Sequence, residues 1–192
     1  MNTALKSQNP KDRILDTATR LFYEQGYLAT GINQIIAEAK VAKASFYQHF
    51  PSKEALAVKY LEAYNSSFFK QLDYITQQSI EPKNKILALF DHLNDFSQQA
   101  ECRGCAFLNI AVEFSDPQSQ PRILIARFKK DLKLYIERLV REALSSNLGS
   151  ELIQTKANAV YLLFEAALIE SRVDRSTDPI WESKAAVELL LN

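Results

Sequence analysis

Apolar residues recur at helical spacing through every long segment of this chain, a periodicity that specifies an all-α fold. Ile14, Leu15, Ala18, Leu21 and Phe22 form one stripe; Ile32, Ile35, Ile36 and Ala39 form a second. Leu56, Tyr60, Tyr64, Phe68 and Ile75 share the inner face of a long helix, and Ile86, Phe90, Leu93 and Phe96 line the next. A compact apolar helix covers 104–114, followed by stripes of Leu124, Phe128, Tyr135 and Leu139, of Ile153, Ala157, Val160, Phe164 and Leu168, and of Trp181, Ala185 and Leu189.

Start and stop signals separate these stripes. Asn9-Pro10 offers an N-cap followed by proline at the first helical position, and Gly26 a left-handed stop. The second helix opens at Thr30 or Gly31, and a third runs from about Ala42 to His49, ended by Phe50-Pro51 because the residue before proline resists helix. Ser52, Pro82, Pro121, Gly149-Ser150 and Asp178-Pro179 open the remainder. The expectation is about nine helices without a strand: an N-terminal three-helix unit over 1–52 and a larger helical bundle over 53–192.

Four glycines, Gly26, Gly31, Gly104 and Gly149, cannot make a Gly-x-Gly-x-x-Gly dinucleotide loop. Gly26 and Gly31 have P-loop spacing, but Ile32-Asn33 stand where Lys-Ser/Thr must hold phosphate and Mg²⁺. There is no Gly-x-Ser-x-Gly and no His-Glu-x-x-His, and neither histidine, His49 or His92, has a nucleophile to serve, so the expectation is no enzyme, no catalytic residue and no cofactor. The polar stretch from Met1 to Lys11 is no secretion signal, and no run approaches the ~20 apolar residues that span a bilayer. Two cysteines fit a reducing compartment, which makes the cytoplasm the expected location, without a membrane partner.

The net charge of zero hides an asymmetry: residues 1–60 carry eight Lys/Arg against five acids, leaving +3 at one end. Chance, or a phosphate-binding end, would each produce it. The first three helices have the outline of a helix-turn-helix. Lys43, Ser45, Tyr47, Gln48 and His49 give the third a hydrogen-bonding rim, and Val41, Phe46 and Phe50 would seat it on the other two. Lys53 lies in the first turn of the fourth helix, where a cation works against the helix dipole. A phosphate at that N-terminus would explain the lysine.

The run Ala29-Thr30-Gly31-Ile32, through Val41 to Pro51, to Ser52-Lys53-Glu54-Ala55-Leu56 resembles the DNA-binding domain of TetR-type transcriptional regulators; Phe46-Tyr47-x-x-Phe50-x-Ser52-Lys53-Glu54-x-Leu56 is its most diagnostic part. The resemblance covers about residues 10–57 and extends back through Arg13-Ile14-Leu15 and Gly26-Tyr27. It implies a homodimer on a pseudo-palindromic double-stranded DNA operator, acting as a repressor released by a small-molecule effector. By the same resemblance Thr30, Tyr47 and Lys53 align with phosphate contacts, and Lys43, Ala44, Ser45, Gln48 and His49 lie on or beside the recognition helix. Four positions depart from the pattern. Gly31 and Ala42 stand where capping Ser/Thr is usual, Lys40 where glycine would relieve a left-handed backbone, and Ala44 where a smaller residue brings the helix closer to the bases. The two C-terminal helices would pair with those of a second subunit as a four-helix bundle.

Phe90, Phe96, Phe107, Leu108, Phe114 and Phe128 are the expected lining of an apolar effector cavity in the middle helices. Cys102-Arg103-Gly104-Cys105 is a single C-x-x-C, too few ligands for a structural metal site. Its apolar neighbours favour packing for Cys105, with a thiol-redox switch through Cys102 and Cys105 as the alternative function.

Overall fold

The computed structural model describes residues 9–144 and 148–192 and, among these, contains nine α-helices and no strand. The start signals act as the residue chemistry requires. The Asn9 side chain accepts from the Asp12 N–H at 2.9 Å and opens α1 (Pro10–Glu24), with proline in the first turn. After Gly26, at φ +93°, the chain turns into α2 (Ile32–Ala39). Lys40 takes the left-handed conformation expected of it, φ 53°, and leads to α3 (Lys43–His49). The caps missing from the sequence are missing here: neither Gly31 nor Ala42 makes a side-chain bond to its helix. Ser52 Oγ accepts from the Ala55 N–H at 3.0 Å and opens α4 (Lys53–Gln77).

Then come α5 (Pro82–Gln99), α6 (Ala106–Ala111), α7 (Gln120–Ala143), α8 (Ser150–Asp174) and α9 (Asp178–Leu190). The helix expected over 104–114 is thus shorter. Before it, Glu101 and Cys102 adopt left-handed backbone, φ 50° and 53°, and Gly104 at φ +77° passes so close to Arg172 that a Cβ would lie 3.1 Å from its Cδ.

The chain forms two compact units, one from residues up to Ser66 with Ala106–Ala126, the other from Ser67–Cys105 with Arg127–Asn192. In the first, α1 packs against α2, α3 and α6 around Ile14, Leu21, Phe22, Ile35, Phe46 and Phe50. In the second, α5, α8 and α9 pack together. There the Phe90 and Phe164 rings meet edge-on at 5.6 Å and Phe128 packs on Phe68 at 5.1 Å. A polar group lies inside this second unit. Lys129 pairs with Glu165, their side chains 17% and 13% exposed, and Lys129 Nζ lies 3.7 Å from Cys105 Sγ. Burial, with the Glu165 carboxylate and Cys105 adding to it, pushes the nearby Tyr161 hydroxyl up to about 12.

Two sequence expectations change. The α9 stripe of Trp181, Ala185 and Leu189 faces outward, while Ile180, Ser183 and Val187 form the buried side. And α8 is, by length and composition, apolar enough to cross a membrane. Its inner face, including Ile153, Val160, Phe164 and Leu168, packs within the second unit against α5 and α9.

Candidate nucleic-acid interface

Helix α3 has seven residues and one fully buried side chain, Phe46. A helix that short has no stability of its own in water. Its orientation comes from Phe46, which contacts the Phe50 ring at 6.2 Å and seats the helix on α1 and α2. The rest of α3 lies toward solvent to differing degrees. Lys43, Ala44, Tyr47 and Gln48 are exposed, Ser45 and His49 half-buried, so the six predicted members of this set share one short helix and its outer rim. The Tyr47 ring stands edge-on to Phe46 at 5.2 Å yet remains 44% exposed, which leaves its hydroxyl end available to a phosphate or base.

The helices beneath are tied by charge. Arg13, near the start of α1, donates through Nε to the Ala39 carbonyl at 3.1 Å and through a terminal nitrogen to the Lys40 carbonyl at 3.2 Å. A cation at the carbonyl end of α2 complements its dipole, and it fixes the left-handed Lys40 turn that feeds α3. Arg20 joins α1 to α2 through Glu38. These positioning roles are not readable from the sequence, because the partners of Arg13 and Arg20 on α2 and its C-cap lie 18 to 27 residues later.

Thr30 and Lys53 both make bonds within the α1–α2 turn. Thr30 is fully buried, and its hydroxyl donates inward to the Gly26 carbonyl at 2.7 Å. It closes the α1–α2 turn instead of presenting its hydroxyl to a phosphate. Lys53 Nζ donates to the carbonyls of Tyr27 and Thr30 at 2.9 and 3.1 Å and lies 4.3 Å from the centre of the Tyr27 ring. Burial pushes this ammonium below its ordinary pKa, and the Glu113 carboxylate pulls the other way. An ammonium has three donors, so one N–H remains for a phosphate once the turn has taken two.

The apolar set predicted for an effector is divided. Phe107, Leu108 and Phe114 belong to the first unit, where Phe107 meets Tyr64 at 5.3 Å and Phe114 lies 4.6 Å from Tyr27. Phe90, Phe96 and Phe128 belong to the second. Cys102 is half-buried and Cys105 buried, both as free thiols.

Residues 14–60 match the sequence model described as bacterial regulatory proteins, tetR family, and residues 82–187 that described as tetracyclin repressor-like, C-terminal domain. The chain is 25% identical over 186 residues to the HTH-type transcriptional repressor NemR of Escherichia coli (strain K12), covering 94% of this chain and 93% of that one. It is 29% identical over 185 residues to the HTH-type transcriptional regulator LmrA of Bacillus subtilis (strain 168), covering 94% and 96%. Among solved structures, SCO4454, a TetR-family transcriptional regulator from Streptomyces coelicolor, superposes with a TM-score of 0.85 at 25% identity, covering 95% of this chain and 94% of that chain. The reduced form of E. coli NemR gives 0.80 at 23%, covering 95% and 97%, a likeness of fold.

Proposed function

The chain belongs to the tetR family of bacterial regulatory proteins, and from that premise we propose that it is a repressor that binds a pseudo-palindromic operator as a homodimer and is released by a small, mainly apolar effector. Residues 1–52 read the DNA, and 53–192 carry the effector and dimer sites, all in the cytoplasm. The observation that carries this reading is α3 itself, held by one buried phenylalanine and otherwise presenting Lys43, Ala44, Tyr47 and Gln48 to solvent. A single such helix buries too little surface for tight, specific binding, and two in successive major grooves would lie roughly 34–36 Å apart. The effector reading is supported by Phe90, Phe96 and Phe128, which share the second unit. A ligand lowers operator affinity only by its own preference between the two arrangements, typically ~1–3 kcal/mol, so operator DNA must weaken effector binding by the same factor.

The reading is tested by titrating labelled duplex DNA across a salt series. The unsubstituted chain should bind with an affinity that falls steeply as salt rises. Lys53→Ala should flatten the slope by about one unit, as for a lost phosphate contact, and weaken both specific and random duplexes, the specific one more because the α1–α2 turn also loses its bonds to Lys53. A chain that binds no duplex at low salt, or an unaltered slope in Lys53→Ala, contradicts the assignment.

A second reading, a thiol-responsive regulator, is favoured by one contact, the Lys129 ammonium donating to Cys105 Sγ at 3.7 Å, which sets this thiol beside a polar group inside the second unit. The solved NemR structure is described as a reduced form, which is a statement about that protein. We read the thiols here as packing groups. Replacing both Cys102 and Cys105 by serine should leave DNA binding and effector response intact. Release of DNA by peroxide from the parent chain, lost in the double variant, would establish the redox reading.

A further inference from the structure

The turn joining α1 to α2 is held by a residue from outside the helix-turn-helix. Both carboxylate oxygens of Glu113, just past the end of α6, accept backbone N–H groups of that turn: Oε1 takes Tyr27 at 3.0 Å and Oε2 takes Leu28. Gly26 makes the approach possible, because a Cβ there would stand 3.0 Å from Glu113 Oε1. The next residue, Phe114, adds its ring against Tyr27 at 4.6 Å. The end of α6 is itself anchored, with Arg122 donating to the Ala111 carbonyl at 2.8 Å. On the carbonyl side of the same turn stands Lys53. The peptide groups of residues 27–30 thus have an anion on two of their N–H groups and a cation on two of their carbonyls.

We propose that Glu113 is a positioning residue for operator recognition: by fixing the α1–α2 turn it sets the direction of α2, and through α2 that of α3. Two features of this chain make the clamp necessary. Neither Gly31 nor Ala42 supplies a side-chain cap, and Thr30 is committed to the inner wall of the turn. The two bonds from Glu113 are charge-assisted, which are the strong kind. The proposal rests on the DNA-binding reading above.

Charge and position predict opposite signs, and this separates them. Glu113 places a negative charge in the unit that must meet phosphate, so electrostatics alone has Glu113→Gln binding DNA more tightly with a steeper salt dependence. Loss of the clamp has it binding more weakly, because the glutamine amide keeps one acceptor and turns a donor toward the second N–H.

The experiment uses the full chain and a duplex selected by it from a random-sequence pool, with fluorescence anisotropy over a salt series and a random duplex as reference. Glu113→Gln should bind the selected duplex about 10- to 100-fold less tightly, the loss expected for hydrogen bonds to a charged group. Its preference over random DNA should shrink, and the salt slope should not steepen. Glu113→Asp keeps the carboxylate on a shorter arm and should recover part of the loss, which also carries the test if Glu113→Gln loses its helical signal. Affinity equal to or above the parent's in Glu113→Gln, or a Glu113→Asp variant that binds no better than a folded Glu113→Gln or, where that one is unfolded, binds random DNA as well as the selected duplex, overturns the proposal. A parent chain that selects no duplex removes this proposal together with the regulator reading, whereas a binding parent with an unaffected Glu113→Gln removes this proposal alone.

Discussion

Phe46→Ala is expected to abolish duplex binding while leaving the second compact unit folded. Phe46 is 0% exposed and is the one fully buried side chain of a seven-residue helix. Removing a buried phenylalanine costs about 3–5 kcal/mol, a large part of the ~5–15 kcal/mol that holds a typical domain together. For α3 the loss is absolute, since a helix of that length does not persist undocked. Hydrogen exchange should show early exchange over 43–50 with the amides of α5, α8 and α9 still protected. A Phe46→Ala chain that binds duplex as the parent does would mean that α3 is oriented by something other than this side chain. Phe46→Leu, which keeps an apolar side chain there, should cost far less.

The second large effect is expected from the outer face of α9. Trp181 and Leu189 are 45% and 76% exposed, and on α8 Leu162 and Val173 are 62% and 70% exposed. Together with Leu152 and Ile169 on α8 they form apolar surface on the two C-terminal helices, the kind of patch that marks an interface. If the proposed homodimer forms through this surface, replacing both Trp181 and Leu189 by glutamate should convert it into a monomer in analytical ultracentrifugation, because a symmetric interface would bring each charge in twice. Loss of the second half-site should then cost about 10³-fold or more in operator affinity. Far-UV circular dichroism should be unchanged, the buried side of α9 being Ile180, Ser183 and Val187. A double variant that still sediments as the parent does, and still binds operator, places the dimer contact elsewhere.

These two residue sets show what the sequence revealed and what it did not. Helix starts were legible because their chemistry is local: Asn9 caps α1, Ser52 caps α4, and Asp178-Pro179 opens α9. The recognition helix was legible because its period and its residue types agree, an apolar anchor on one side and polar groups on the rest. On α9 the period was ambiguous. Two apolar sets, Trp181/Ala185/Leu189 and Ile180/Val187, both fit a helix, and which one packs against the chain's own core depends on α5 and α8.

Lys53 teaches a related lesson. A cation in the first turn of a helix does call for a nearby acceptor, and the sequence offered phosphate as one. The carbonyls of Tyr27 and Thr30 are another, met only after folding brings positions 23 to 26 residues apart together. Thr30 could have turned its hydroxyl either way, and burial of its side chain against α1 decided it. Glu113 gave no signal at all: one acid between an apolar helix and a polar loop has no periodicity, and its partners lie 86 and 85 residues earlier.

The first compact unit draws residues from two separated stretches of chain, up to Ser66 and Ala106–Ala126, and this has a consequence for the order of synthesis. Domains generally fold as units while the ribosome still holds the chain, the N-terminal one first. Here the N-terminal stretch emerges early, but the rings that cover Tyr27 and Tyr64, Phe114 and Phe107, are made only after the whole of the other unit's α5. The first unit is therefore the first to begin leaving the ribosome but cannot close until the stretch to Ala126 has followed, still ahead of the second unit, which waits for α8 and α9. A chain interrupted before Ala106 carries the whole of α3 without Phe107 and Phe114, which complete its unit, and such a product is expected to bind duplex DNA less tightly than the full chain.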